Sequence, residues 1–255
     1  MHPPVSYAVP DEFTSPKWAA AFAAGCRGTV ATDNVLQPGS VAMFGSPSRW
    51  AILQDAIQDG RTYFYGDHAY FRRHQYYRIT KNRLQHDGVS TQPVRDADRQ
   101  RLRDVGCDIS PGWRATGTHI VICPNSPVYM SLFGYDAHQW ALDCISTLAR
   151  YTDRPTILRW KSQAARRPLA VDLVDAHAVV VFSSNAAVEA VAAGVPCICL
   201  ADFAAARRMG RSSLADIENL ITPDDRESFL CTLARNQWTF DEMKAGVAWR
   251  ALRRD

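Results

Sequence analysis

The chain has 255 residues, 47% of them hydrophobic and 22% charged, and a formal net charge of +3. That is long enough for a sizeable core or two small α/β domains, and too even in charge to argue for nucleic acid by itself. No apolar run approaches the length that crosses a bilayer, and the start MHPPVSYAVPDEF has neither the basic head nor the apolar core of a signal peptide, so a cytoplasmic protein without a membrane span is expected.

In chain order, residues 6–9 read as a strand, and Pro16 opens a helix that Gly25 closes. Residues 29–31 form a short strand running into Thr32-Asp33-Asn34. Residues 41–44 are the clearest strand of this half. Gly45-Ser46-Pro47-Ser48 turns them into a helix over 49–58, with Trp50, Leu53 and Ile57 on one face. A strand over 62–65 ends in Gly66-Asp67-His68. Strand, helix and strand with short connections predict a parallel sheet.

Residues 76–80 form an extra strand, and 82–87 a polar loop. Arg72, Arg73, Arg78, Lys81 and Arg83 cluster here among Tyr70, Phe71, Tyr76 and Tyr77. A basic and aromatic surface of that kind suits a phosphate-bearing or sugar acceptor, and the alternative is a solvated face. Asp96-Ala97-Asp98 has the DxD spacing of a metal site, but it lies in a charged helical segment and not after an apolar strand, so no metal is assigned to it. The seven cysteines include no CxxC pair, and they read as packing residues in place of disulfides or a zinc site. No cofactor is expected.

Punctuation by Gly and Pro over 88–117 places a domain boundary, giving an N-terminal α/β domain at 1–110 and a C-terminal one at 111–255. The second begins with a strand over 119–123 running into Pro124-Asn125-Ser126. Asp136 caps a helix over 137–150, with Trp140, Ile145 and Leu148 inward. A strand over 156–160 ends at Lys161, and 169–174 is a short helix. Then comes AVVVFSSNAAVEAVAAGVPCICL, residues 178–200: a buried strand, a small polar turn at Ser183-Ser184-Asn185, an Ala-rich helix, Gly194, Pro196 and a second strand. Thr222-Pro223-Asp224-Asp225 starts a helix to about 235. Thr239-Phe240-Asp241-Glu242 is a capping box for the last helix, whose buried stripe is Phe240, Met243, Val247 and Ala251.

The turn Ser183–Asn185 lies where a strand's carboxyl end meets a helix's amino end, which is where open α/β sheets bind ligands and where N–H groups seat phosphate. Ser184 or Asn185 serving only as an N-cap, with Glu189 a surface residue, is the plain alternative. The segment SSNAAVEAVAAGVP resembles the donor segment of GT-B glycosyltransferases, especially capsule-type and phage-encoded ones. The resemblance implies that Ser183, Ser184 and Asn185 hold the diphosphate of a nucleotide sugar, such as a UDP- or GDP-sugar, and that Glu189 binds its ribose. It implies a GT-B-like fold of two small Rossmann-like parallel-sheet domains facing a cleft, with a C-terminal helix crossing back to the first. Lys161 occupies the place of a basic residue after a strand in that family, and Ser126 is a further phosphate candidate. WAILQDAIQDGRTYFYGDHAYFRRHQYYRITKNRLQHDG and NQWTFDEMKAGVAWR extend the similarity to a phage and prophage family related to glycosyltransferases, whose members would work in the host cytoplasm.

Glycosyl transfer also needs a base for the acceptor hydroxyl. The strand-end candidates are Asp67, His68 and Asp33. An Asp following Gly in a turn also bonds its own backbone, which is the structural reading of Asp67. Arg72, Arg73, Tyr76, Arg78 and Lys81 are the expected acceptor contacts, for hydroxymethylated pyrimidine in DNA or for a glycan. The absence of a Ser-His-Asp elbow, a Walker loop and GxGxxG removes hydrolase, P-loop and dinucleotide readings from the front rank. The rival from another class is a non-catalytic binding or virion-associated protein that keeps the fold.

Overall fold

A computed structural model of the chain describes residues 3–45, 47–89, 93–109, 112–161 and 167–254. Ser46 of the expected 45–48 turn, Ser162 after Lys161 and the expected division at 110/111 lie outside the described residues. The elements are β1 (Val5–Tyr7), α1 (Ser15–Cys26), β2 (Thr29–Ala31), β3 (Val41–Phe44), α2 (Trp50–Gln58), β4 (Tyr63–His68), β5 (Tyr77–Lys81), α3 (Asp96–Asp104), β6 (His119–Cys123), α4 (Pro127–Ser131), α5 (Ala137–Leu148), β7 (Thr156–Leu158), α6 (Leu169–Asp172), β8 (Ala176–Val181), α7 (Ala186–Ala192), β9 (Cys197–Cys199), α8 (Arg226–Arg235), β10 (Gln237–Trp238), α9 (Phe240–Lys244) and α10 (Val247–Leu252). They form two compact units, Met1–Leu84 with Leu233–Asp255, and Gln85–Thr232.

The first unit carries a six-stranded sheet of order β10-β5-β4-β3-β1-β2. Its four strands β2, β1, β3 and β4 are parallel, β5 runs antiparallel to β4, and β10 at the edge runs antiparallel to β5. The hydrophobic pattern explains the layers. Fully buried β3 has no solvent face, as a central parallel strand requires. One side of the sheet packs Tyr7, Val41, Met43, Tyr63 and Tyr65 against Ile52, Leu53 and Ala56 of α2. The other packs Ala42, Phe44, Phe64 and Ile79 against Trp18 and Phe22 of α1 and against Met243, Trp249 and Leu252 of the C-terminal helices. The last segment therefore does return to the first unit, as expected.

Gly25 shows why that return is tight. It lies inside α1 and does not close it; the helix ends at Cys26, with Arg27 left-handed at φ 58°. A Cβ on Gly25 would stand 1.9 Å from the carbonyl oxygen of Met243, so only glycine lets α9 lie this close to α1. The expected buried stripe of the last helix is corrected by a break. Gly246, at φ 74°, separates α9 from α10. The second helix is thereby turned so that Ala248, Trp249 and Leu252 face inward, while Val247 is exposed. Ile57 is exposed too; Ile52, Leu53 and Ala56 form the buried face of α2.

Two further boundaries move. β4 continues through Gly66, Asp67 and His68, because β5 pairs with it in antiparallel register, Asp67 opposite Arg78 and His68 opposite Tyr77. Residues 222–225 precede α8, whose helix starts only at Arg226.

The second unit holds a four-stranded, all-parallel sheet of order β7-β6-β8-β9. All six residues of β8 are buried; the strand begins ahead of the apolar run from which it was expected and takes in His177, whose Nε2 lies 2.9 Å from the carbonyl oxygen of Ile217. Chain order reverses between β6 and β8. After β6 the chain goes to β7 on one side, then returns to β8 on the other.

Candidate functional site

The β6/β8 reversal is the second unit's topological switch point, the place where strand ends splay and leave a crevice. Two of the loops singled out in the sequence meet there. The backbone N–H of Ser183 donates to Oδ1 of Asn125 at 3.1 Å, and its hydroxyl stands 3.5 Å from the hydroxyl of Tyr129. Ser126 caps α4, its Oγ accepting from the N–H of Tyr129 at 3.4 Å. Ser184 Oγ accepts from the N–H of Ala186 at 3.3 Å, a bond local to the turn, while the N-cap position of α7 is Asn185, whose side chain makes no capping bond. Ser183 is buried, whereas Ser184 and Asn185 are half-exposed and Glu189 is exposed on α7. Glu189 is near enough to the end of β6 for its charge to act on the Cys123 thiol. Burial chiefly pushes that thiol up to about 12; Arg159 opposes the shift, and Glu189 adds to it.

One residue holding this turn has no signal in the sequence. Gln85, 5% exposed, donates through Nε2 to the carbonyl of Ser183 at 2.8 Å and accepts through Oε1 from the N–H of Ala205 at 2.8 Å. It ties the Ser183 turn to the small-residue segment after β9. A lone polar residue in a loop predicts neither bond, since both partners are about a hundred residues away.

Beside the turn lies an aromatic wall. Phe133 stacks on Phe203 at 5.1 Å, and Phe182 meets Phe133, Tyr135 and Phe203 at 5.2–5.9 Å. At the end of β7 the two basic residues part. The strand ends at Leu158, and the next residue, Arg159, is buried with its guanidinium paired with the buried carboxylate of Asp172. Arg167 binds the other oxygen of that carboxylate at 2.7 Å. Lys161 is exposed, so of these two it is the cation a solvent-borne ligand can reach.

In the first unit, Asp67 and His68 end β4. Both carboxylate oxygens of Asp67 are engaged: Oδ2 by the Arg78 guanidinium at 2.6 Å, Oδ1 by the backbone N–H of His68 at 2.7 Å. Arg78 is 2% exposed and lies 5.0 Å over the Tyr70 ring. This position differs from the surface role expected of Arg78, because its cross-strand partner is Asp67 and its aliphatic stem is sealed in the core. Tyr70, Phe71 and Tyr77 are buried as well. Tyr76 is half-buried, Arg72 and Arg73 are exposed, and Lys81 reaches the carbonyl of Leu252 at 3.4 Å.

The ring of His68 sits among Phe44 at 5.3 Å, His74 at 4.8 Å and Tyr77 at 6.0 Å. Asp33 stands apart from this group. It is exposed, its Oδ1 accepts from the N–H of Val35 at 3.3 Å, and its carbonyl accepts from buried Arg49 at 2.8 Å. These are the bonds of an Asx turn at the end of β2.

Among the described residues no group of three or more His, Cys, Asp or Glu could hold a metal ion, and no helix is long and apolar enough to cross a membrane. The thiols of Cys107, Cys123 and Cys144 are all pushed up to about 12, chiefly by burial, which makes them inert as nucleophiles at neutral pH.

Residues 148–244 match a family model described as "Putative glycosyltransferase (DUF6716)". That stretch includes β7, β8, the Ser183 turn, α7 and β9. Among solved structures, the chain is similar to the beta Kdo 2,4 transferase of Thermosulfurimonas dismutans KpsC, at 13% identity and a TM-score of 0.52, covering 91% of this chain and 90% of that one. It is also similar to the beta Kdo 2,7 transferase of the same KpsC, at 12% identity and a TM-score of 0.53, covering 96% and 99%. At these identities the likeness establishes the fold, an α/β arrangement of the GT-B-like class. No curated protein sequence matches the chain.

Proposed function

We propose that the chain is a glycosyltransferase that moves a sugar from a nucleotide-sugar donor to an acceptor hydroxyl without a metal ion. The observation that carries this reading is the convergence of Asn125, Ser126 and the Ser183–Asn185 turn at the β6/β8 switch point. The glycosyltransferase description of the matched stretch supports it, as does the fold of the KpsC domains.

In this reading the Ser183–Asn185 turn and Ser126 bind the donor diphosphate. Lys161 offsets the charge that develops on it as it leaves. Glu189 accepts hydrogen bonds from the ribose hydroxyls. The acceptor chemistry belongs to the first unit, with His68 as the base. Asp67 is engaged by the Arg78 guanidinium on one oxygen and by the His68 N–H on the other, so its role in this reading is to fix the end of β4. The acceptor oxygen forms the bond to the anomeric carbon. The bond from that carbon to the diphosphate oxygen breaks, its electron pair leaving with the diphosphate, and the acceptor proton passes to His68.

The test is a panel of nucleotide sugars read by thermal shift, followed by titration calorimetry on wild type and Glu189→Ala. A ligand at about a hundredfold its Kd stabilises the fold that binds it by roughly 2.7 kcal/mol, so at least one donor should raise the Tm clearly. Loss of a charge-assisted hydrogen-bond acceptor costs roughly 1.5–3 kcal/mol, so Glu189→Ala should weaken that donor on the order of tenfold to a hundredfold with the Tm of the free protein unchanged. No stabilisation by any donor would favour the non-catalytic alternative, and an unchanged Kd in Glu189→Ala would make Glu189 a surface residue only.

A further inference from the structure

The basic, aromatic stretch 70–83 reads in sequence as one continuous surface. In the folded unit it is taken apart. Arg78 is inside, paired with Asp67, and Lys81 is half-buried against the carbonyl of Leu252. Arg83 follows the far end of β5, where its charge acts on Tyr63 at the start of β4. β5 puts about 16 Å between that end and the hairpin joining β4 to β5. Of the aromatic residues, Tyr70, Phe71 and Tyr77 are core. Exposed are the hairpin tip, Arg72, Arg73, His74 and Gln75, and, separately at the far end of β5, Asn82 and Arg83.

That tip is built. Arg72 and His74 both have left-handed backbones, φ 47° and 74°, which cost a non-glycine residue energy and persist only when the surroundings hold them. Here they are held from three sides. Buried Gln237 of β10 makes a two-way bond to the backbone of Phe71, Nε2 to its carbonyl and Oε1 from its N–H, both at 3.2 Å. The N–H groups of Gln75 and Tyr76 both donate to the carbonyl of Arg72. The hydroxyl of Tyr77 donates to the carbonyl of His74 at 3.2 Å, and the His74 ring lies 4.8 Å from that of His68. The turn thus carries two guanidinium groups and an imidazole next to the residue assigned as the base.

We infer that this tip is an anion subsite and that the acceptor is a saccharide carrying one anionic group, a carboxylate or a phosphate, gripped by Arg72 and Arg73 with its hydroxyl presented to His68. Two neighbouring guanidinium groups match a single planar or tetrahedral anion through paired N–H donors. A nucleic acid needs a positive track along several phosphates and exposed rings for its bases. This stretch supplies neither, because its middle cation Arg78 and three of its four rings are buried and Tyr76 is only half-exposed. The inference rests on the assignment of His68 to the acceptor side, and it is tested by binding alone.

Trigalacturonate, glucose 6-phosphate, neutral maltotriose and a twelve-nucleotide single-stranded DNA are titrated at low salt by calorimetry. At least one anionic sugar should bind tenfold or more tighter than maltotriose, and which of the two does so tells carboxylate from phosphate. Arg72→Asn/Arg73→Ala should weaken it at least tenfold, Asn being tolerant of the left-handed position. Arg73→Glu, which leaves that backbone untouched, should abolish it. Donor binding should be unchanged in every variant, so donor failure with anionic-sugar binding intact would count against the proposed transferase and not against the subsite. Equal binding of maltotriose, no loss in either variant, or DNA binding with a log–log salt slope steeper than about −3 would overturn the inference.

Discussion

Replacing His68 with Gln is expected to lower turnover by about a hundredfold to ten-thousandfold while leaving the Kd of the donor where it was. The separation of the two effects is the point. A base takes its proton only in the transition state, and the donor site is assigned to a different unit, so ground-state donor binding does not involve the imidazole. Glutamine keeps the size and hydrogen-bonding capacity of the side chain against Phe44, His74 and Tyr77, so a packing defect is minimised. Asp67→Asn is the companion variant. Its amide still accepts from Arg78 or from the His68 N–H but loses the charge, so it should disturb the Arg78 pair and stability more than the chemical step. If His68→Gln changes kcat by less than about threefold, or if donor affinity falls in parallel with kcat, the imidazole is not the base.

The largest effect on stability should come from Asp172→Ala. Asp172 is 3% exposed and carries two guanidinium groups, Arg159 on one oxygen and Arg167 on the other. Arg159 is itself buried, and removing the carboxylate leaves its charge with only a neutral partner, the carbonyl of Arg167. Breaking a buried pair from one side costs roughly 3–5 kcal/mol. Against a typical total of about 5–15 kcal/mol that is a large share, so the unfolding midpoint should drop by roughly 6–20 °C. The double replacement Arg159→Met/Asp172→Leu removes both charges and should recover most of the loss, because the penalty lies in the orphaned charge. A single variant within about 1 kcal/mol of wild type would show that Arg159 finds another partner.

The central βαβ unit was legible because its signals are local. An unbroken apolar run, a small polar turn, an Ala-rich stretch and a Gly-x-Pro exit each fix one step of the chain, and β8, α7 and β9 fall where those steps place them. The start of the C-terminal helix was legible from its capping box, which the structure shows with Thr239 Oγ1 accepting from the Glu242 N–H at 3.1 Å, while its return to the first unit was expected from the resemblance alone. What the sequence hid are pairings across the chain. Arg78 sits in a run of exposed-looking cations, and only the register of β5 against β4 reveals that it faces Asp67. β10 is two residues long, too short for any pattern, and it exists because β5 offers it an open edge. Gln85 and Gly25 look ordinary in sequence; the partner backbones at Ser183, Ala205 and Met243 make them specific.

The same distinction governs the site residues. Ser126, Ser183, Ser184 and Asn185 follow strands that could be read from the sequence, so their convergence at one sheet edge could be anticipated. The division of residues 70–83 into buried and exposed cations could not. Nothing in a one-dimensional run separates a guanidinium that meets a carboxylate on the neighbouring strand from one that meets water.

Hydrogen exchange in the presence and absence of nucleotide sugar tests the central claim most directly, because it locates the ligand without requiring the acceptor. With the donor that most raises the Tm, amide exchange should slow over residues 183–189 and 124–127, the two loops that the Ser183–Asn125 hydrogen bond joins. The first unit's β-sheet should exchange as it does in the free protein. Unchanged exchange over 183–189 with every donor tested, or protection confined to other segments, would contradict the assignment of the β6/β8 switch point as the donor site.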